Sequence, residues 1–118
     1  NIKMLSKVYS AADVFVAPSK METFGKTLAE SLCCSTPVVA FNATGPVDIL
    51  THKKSGYLAL PYSYEDLAKG IMWVFSLSPL ERSQLGLFGR KHVIKEFSLS
   101  STSRKYVELY NKLLKEQL

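Results

Sequence analysis

The chain has 118 residues, 47% of them apolar, and carries fifteen Lys and Arg against ten Asp and Glu for a formal charge of +5. That length buries one hydrophobic core and excludes two, and no run approaches the roughly 20 apolar residues that span a bilayer. The basic excess favours anionic partners in general, but neither zinc-ligand spacing nor an aromatic RNA-binding motif accompanies it, which argues against nucleic acid while admitting peripheral contact with a membrane face.

Ile2, Leu5, Val8 and Tyr9 recur at helical spacing, and "ADVFVAP" then switches to a continuous apolar run that Pro18 stops, so a helix over Ile2 to Ala11 runs into a buried strand over Asp13 to Ala17. Residues Pro18 to Glu22 read as loop and Phe24 to Cys34 as helix. "STPVVAF" is a turn into a second buried strand, because β-branched Val38 and Val39 follow the helix-ending Pro37. Asn42 to Asp48 read as loop. A third strand is predicted at Tyr57 to Ala59, entered through Gly56 after the polar turn "THKKSG". Ser63 and Asp66 are spaced as a capping pair for a helix that aligns Leu67, Ile71 and Val74. Ser78, Pro79 and Glu81 fit a capping box for a further helix toward Phe97, whose middle Gly86 and Gly89 weaken. A last helix carries Tyr106, Leu109, Tyr110, Leu113 and Leu114 on one stripe. Adjacent Cys33 and Cys34 read as reduced thiols on a helix rather than a disulfide or metal pair. The start "NIKMLSKVYSAAD" has no signal-peptide block, and a cytoplasmic location is expected.

Alternating helices and strands predict an α/β fold with a Rossmann-like parallel sheet flanked by helices. Such sheets bind ligands beyond the carboxyl ends of their strands, which directs attention to the loops Pro18 to Gly25 and Asn42 to Asp48. The first feeds a helix whose unpaired N–H groups and positive dipole end suit a phosphate near Gly25, Lys26 and Thr27. Glu22, just outside that turn, suits a neutral hydroxyl-rich partner such as a sugar better than a phosphate. Glu30, further along the helix, can accept two hydrogen bonds from a vicinal diol such as a ribose. Taken singly, each glutamate also reads as an exposed acid near a helix start.

"SAADVFVAPSKMETFGKTLAESLCCSTPVVAFNATGPVDILTHKKSGYLALPYSYEDLA" resembles the second domain of the group 1, family 4 retaining glycosyltransferases of the two-domain GT-B fold. "ADVFVAPS" is similar to the family's strand and loop, "ETFGKTLAE" to its glutamate pair, "STPVVAF" with "GPVDIL" to the next strand and loop, and "SGYLALP" to the strand after it. The resemblance implies that residues 1–118 form part of a C-terminal donor-binding domain, with an acceptor domain and first strands elsewhere. It implies a nucleotide-sugar donor, a glycan or lipid-linked acceptor, retention of configuration, a role in polysaccharide or glycoconjugate biosynthesis, and no metal or other cofactor. Glu22 would be the catalytic carboxylate on the donor sugar. The backbone amides around Phe24, Gly25 and Lys26 would hold sugar and diphosphate, and Glu30 the ribose. Ser35 stands where the family often has glycine, Asp48 where it often has glutamate, and Lys26 where an aliphatic residue is frequent. His52 and His92 are not candidates. The rival reading is a non-catalytic nucleotide or sugar-phosphate binding module. In isolation such a part-domain is expected to be inactive and to self-associate through an open strand edge.

Overall fold

In the computed structural model, which describes residues 2–18, 26–43, 45–97, 108 and 111, the apolar run at Val38 becomes the middle of a parallel sheet. The elements are α1 (Ile2–Ala11), β1 (Phe15–Ala17), α2 (Lys26–Cys33), β2 (Val38–Phe41), α3 (Pro46–Ile49), β3 (Gly56–Ala59), α4 (Tyr64–Ser76) and α5 (Pro79–Phe97). The strand order is β1-β2-β3, with Phe15 opposite Val38 and Val38 opposite Gly56, all parallel. Each parallel step needs a helical crossover, and α2 and α3 supply them.

Every residue of β2 is buried, which explains why it reads as an unbroken apolar run rather than an alternating one. Val38 and Ala40 face one layer with Leu28 and Leu32 of α2, Ile49 of α3 and Val93 of α5. Val39 and Phe41 face the other with Leu67 and Val74 of α4. Leu67 and Val74 are buried and Ile71 is half-buried, so the predicted face of α4 is the packed one.

Both predicted caps form. The Ser63 hydroxyl accepts from the Asp66 amide at 3.2 Å, satisfying one orphan donor at the start of α4. At α5 the exchange is reciprocal: the Ser78 amide donates to Glu81 Oε1 at 3.0 Å and the Glu81 amide to the Ser78 hydroxyl at 3.1 Å.

Several expectations are corrected. The first strand begins at Phe15 rather than Asp13, because Ala12 still bonds back to Tyr9 at 3.1 Å and the chain must turn before it pairs. Within the predicted α1 stripe Tyr9 is buried, whereas Leu5 and Val8 are exposed. Residues 46–49, read as loop, form the helical turn α3, with Pro46 at its start and Gly45 before it at φ 93°. Pro at that position lacks only an N–H that would be unpaired anyway. Cys34 lies in the turn after α2, beyond the helix that holds Cys33. Gly86 does not mark a weak place in α5. A Cβ there would lie 2.0 Å from the Ser35 carbonyl oxygen, so glycine is what lets α5 lie directly against the end of α2. The last predicted helix falls outside the described residues except for Glu108 and Asn111, both helical and exposed.

Candidate functional site

Helix α2 starts beyond the carboxyl end of β1 and carries three of the six predicted site residues. Lys26 and Thr27 are exposed in its first described turn, and Glu30 is half-buried one turn further on. Positions three and four apart share a helix face, so Glu30 follows Lys26 and Thr27 on one side of α2, about 6 Å along the axis. Glu22, Phe24 and Gly25 lie outside the described residues.

The position of α2 is fixed at its far end by three devices. Thr36 N–H donates to Ser31 O at 3.0 Å and Ser35 N–H to Leu32 O at 2.9 Å, with Ser35 in the left-handed region at φ 60°. This is the paired C-terminal capping pattern that usually employs glycine, and it explains why the departure at Ser35 is a backbone matter. The Arg90 guanidinium donates to the Cys33 carbonyl, placing a cation at the negative end of the helix. Gly86 of α5 meets the Ser35 carbonyl. Burial, with a further push from the neighbouring Cys34 thiol, raises the Cys33 pKa, so Cys33 stays a thiol.

A fourth restraint acts on Glu30 itself, and the sequence pattern did not disclose it. The hydroxyl of Tyr9, from α1, donates to Glu30 Oε2 at 3.3 Å. Tyr9 is in turn held by its backbone carbonyl, which accepts from the Thr36 hydroxyl, and by its ring, edge-on to Phe15 at 5.6 Å. Helical spacing marked Tyr9 as part of an apolar stripe; only the side-by-side packing of α1 and α2 shows that its polar end has a carboxylate partner.

The neighbouring loops complete the carboxyl edge of the sheet. Asn42 N–H donates to Ala59 O at 2.6 Å, tying the exits of β2 and β3. Buried Phe41 lies edge-on to Tyr62 at 5.8 Å and to Tyr64 at 5.6 Å. Asp66 closes the loop after β3: its carboxylate accepts from Leu60 N–H at 2.7 Å and from the Tyr57 hydroxyl at 2.8 Å. Those two bonds, the backbone one foremost, hold its pKa below the ordinary value. His52 accepts from Leu58 N–H through Nδ1 at 3.0 Å, tying the turn before β3 to the strand. Among the described residues no three His, Cys, Asp or Glu side chains come together to hold a metal, and no helix is long and apolar enough to cross a membrane.

The profile of the family described as glycosyl transferases group 1 matches residues 1–92. The capsular polysaccharide biosynthesis glycosyltransferase CapM of Staphylococcus aureus is 30% identical over 108 residues, covering 92% of this chain and 28% of CapM. Among solved structures, the sucrose-phosphate synthase of Thermosynechococcus elongatus superposes with a TM-score of 0.84 at 31% identity, over 97% of this chain and 28% of that one. TarM of S. aureus, solved with fondaparinux, alpha-GlcNAc-glycerol and UDP, superposes with a TM-score of 0.80 at 27% identity, over 92% of this chain and 22% of its own. The chain thus spans under a third of the length of these relatives.

Proposed function

The chain belongs to the group 1 glycosyltransferases, and on that premise we propose that it forms the second half of the donor-binding domain of such an enzyme, which transfers a sugar from a nucleotide donor to a glycan or lipid-linked acceptor with retention. The observation that carries this reading is the placement of Lys26, Thr27 and half-buried Glu30 along one face of α2, beyond the carboxyl end of β1. A diphosphate at the start of α2 meets unpaired backbone amides and the positive end of the helix dipole, and the Lys26 ammonium adds charge of the right sign. One turn away, the Glu30 carboxylate receives the 2′- and 3′-hydroxyls of a ribose, a pairing that needs two acceptor oxygens and no cation. Glu22 contacts the transferring sugar. The helix-end dipoles stabilise charge developing on the departing diphosphate, an electrostatic contribution that requires no metal from this part of the protein. TarM's structure with UDP and a GlcNAc-glycerol and the capsular polysaccharide role in CapM's name support a nucleotide donor and a glycan product. The acceptor and the cytoplasmic setting belong to the same proposal.

The test separates the two carboxylates in the full-length enzyme. Glu30→Ala is expected to weaken nucleotide binding by about 10- to 100-fold, the equivalent of losing hydrogen bonds to a charged acceptor. Glu22→Ala is expected to lower turnover with little change in nucleotide affinity, and Lys26→Ala to weaken binding by less than Glu30→Ala. Calorimetric titration together with transfer from a labelled donor measures both quantities; equal effects of Glu22→Ala and Glu30→Ala on both refute the assignment, and binding without turnover in the unmodified enzyme refutes transfer.

A further inference from the structure

We propose that Tyr9 is a positioning residue, whose hydroxyl orients the Glu30 carboxylate for the ribose diol of the donor. The inference rests on the donor reading above and adds to it a residue from a different helix. Four observations converge on it. The Tyr9 hydroxyl donates to Glu30 Oε2 at 3.3 Å, across 21 residues of sequence. Tyr9 is only 8% exposed, so its ring has one setting rather than many. Its backbone is anchored by the Thr36 hydroxyl, and Thr36 belongs to the turn that caps α2 through Ser31. Its ring lies edge-on to Phe15 of β1. Tyr9 is therefore fixed relative to the sheet and to the end of α2, and the carboxylate it contacts is fixed with it.

A glutamate on a helix has three rotatable bonds, and a carboxylate that must meet two hydroxyls in one plane binds more tightly when that freedom has already been removed. The bond uses one of about four acceptor positions on the carboxylate, so two hydroxyls can still be received. At 3.3 Å it is long for an O–H···O pair, which makes its worth one of orientation more than of energy. Burial, and next the charge of Glu30, raise the Tyr9 pKa; the phenol stays protonated through the neutral range and can act only as the donor in this pair.

The deciding experiment compares ribose with deoxyribose in the full-length enzyme. Adenosine, guanosine and uridine diphosphates are titrated calorimetrically, and the tightest is compared with its 2′-deoxy form for the unmodified protein, Tyr9→Phe, Glu30→Ala and Phe15→Leu. Tyr9→Phe keeps the ring and deletes the hydroxyl; it is expected to weaken binding of the ribonucleotide by about 3- to 10-fold and to shrink the ribo-to-deoxyribo preference by a similar factor. Phe15→Leu disturbs the same packing without touching the bond, and is expected to lower thermal stability while keeping the preference. If Tyr9→Phe leaves the preference intact while Glu30→Ala abolishes it, Tyr9 is structural and the inference falls alone. If Phe15→Leu erodes the preference as far as Tyr9→Phe does, packing rather than the hydroxyl is responsible and the inference falls. If Glu30→Ala has no effect, or none of the three diphosphates binds, the donor reading fails and takes the inference with it.

Discussion

Replacing Gly86 by alanine isolates how α5 supports the site-bearing helix. A Cβ at Gly86 would lie 2.0 Å from the Ser35 carbonyl oxygen and 2.9 Å from its carbon. Real Cβ contacts are essentially never closer than 3.0 Å, so α5 and the end of α2 must separate by at least the difference, about 1 Å. The obstructing atoms are backbone, locked in the capping turn after α2, and cannot rotate away. Overpacking of this kind costs about 1–3 kcal/mol. Alanine in a helix interior returns about 1 kcal/mol relative to glycine, and the expected net change is a loss of up to about 2 kcal/mol, or up to roughly 8 °C in Tm. Gly89 supplies the contrast. Its added methyl meets Leu32 Cδ2 at 2.7 Å and Ser55 Cβ at 3.1 Å, and the leucine end can swing aside, so Gly89→Ala is expected to cost less than Gly86→Ala. Urea unfolding followed by circular dichroism ranks the variants. A Gly86→Ala protein stabilised by about 1 kcal/mol, as helix propensity alone dictates, would show that the close approach of the two helices is not what holds α2.

Two further predictions concern the turns that bracket the site. Ser35→Gly is expected to stabilise the protein by about 0.5–1 kcal/mol, because relief of a left-handed non-glycine backbone outweighs the extra freedom of glycine in the unfolded chain; an unchanged or lowered urea midpoint refutes that account of the turn at φ 60°. Asp66 has a folded pKa below its ordinary 3.8, so its stabilising contribution is complete above that value and disappears as the pH falls through the depressed folded one. Glu81, exposed at its cap, is shifted in the same direction by the Ser78 amide and hydroxyl. Asp66→Asn is therefore expected to flatten the loss of stability between neutral and strongly acidic pH, which stability measurements at a series of pH values will show; an unchanged slope refutes it.

The legible parts of the fold were those specified by neighbouring residues. Pro37 followed by two valines announced β2, and Ser63 and Ser78 announced the starts of α4 and α5, because a cap is made by residues three apart and its chemistry is written locally. The parallel order followed from alternation of helices and strands. The features that escaped depend on segments far apart in sequence. Gly86 looks like a poor helix residue until Ser35, 51 positions earlier, is seen against it. Tyr9 looks like core until Glu30 arrives at its hydroxyl. Propensity assigns both their average meaning, and tertiary contact reverses it. Glu30, Lys26 and Thr27 stand out as candidates through the glycine, the helix start and the preceding strand, and they fall along one side of α2; the Tyr9 hydroxyl that meets the Glu30 carboxylate has no such local signal.

The alternate facing of β2 has a consequence for how such a protein can change over time. Val38 and Ala40 belong to the layer that seats α2, and Val39 and Phe41 to the layer that seats α4. Because side chains from successive positions project to opposite faces, a volume change at Val39 is absorbed among Ala59, Leu67 and Val74, whereas one at Val38 bears on Leu28 and Leu32 of α2. The strand is thus a partition between two compartments that drift separately: α4 and its exposed face can be remodelled for a new neighbour while α2 keeps its seat.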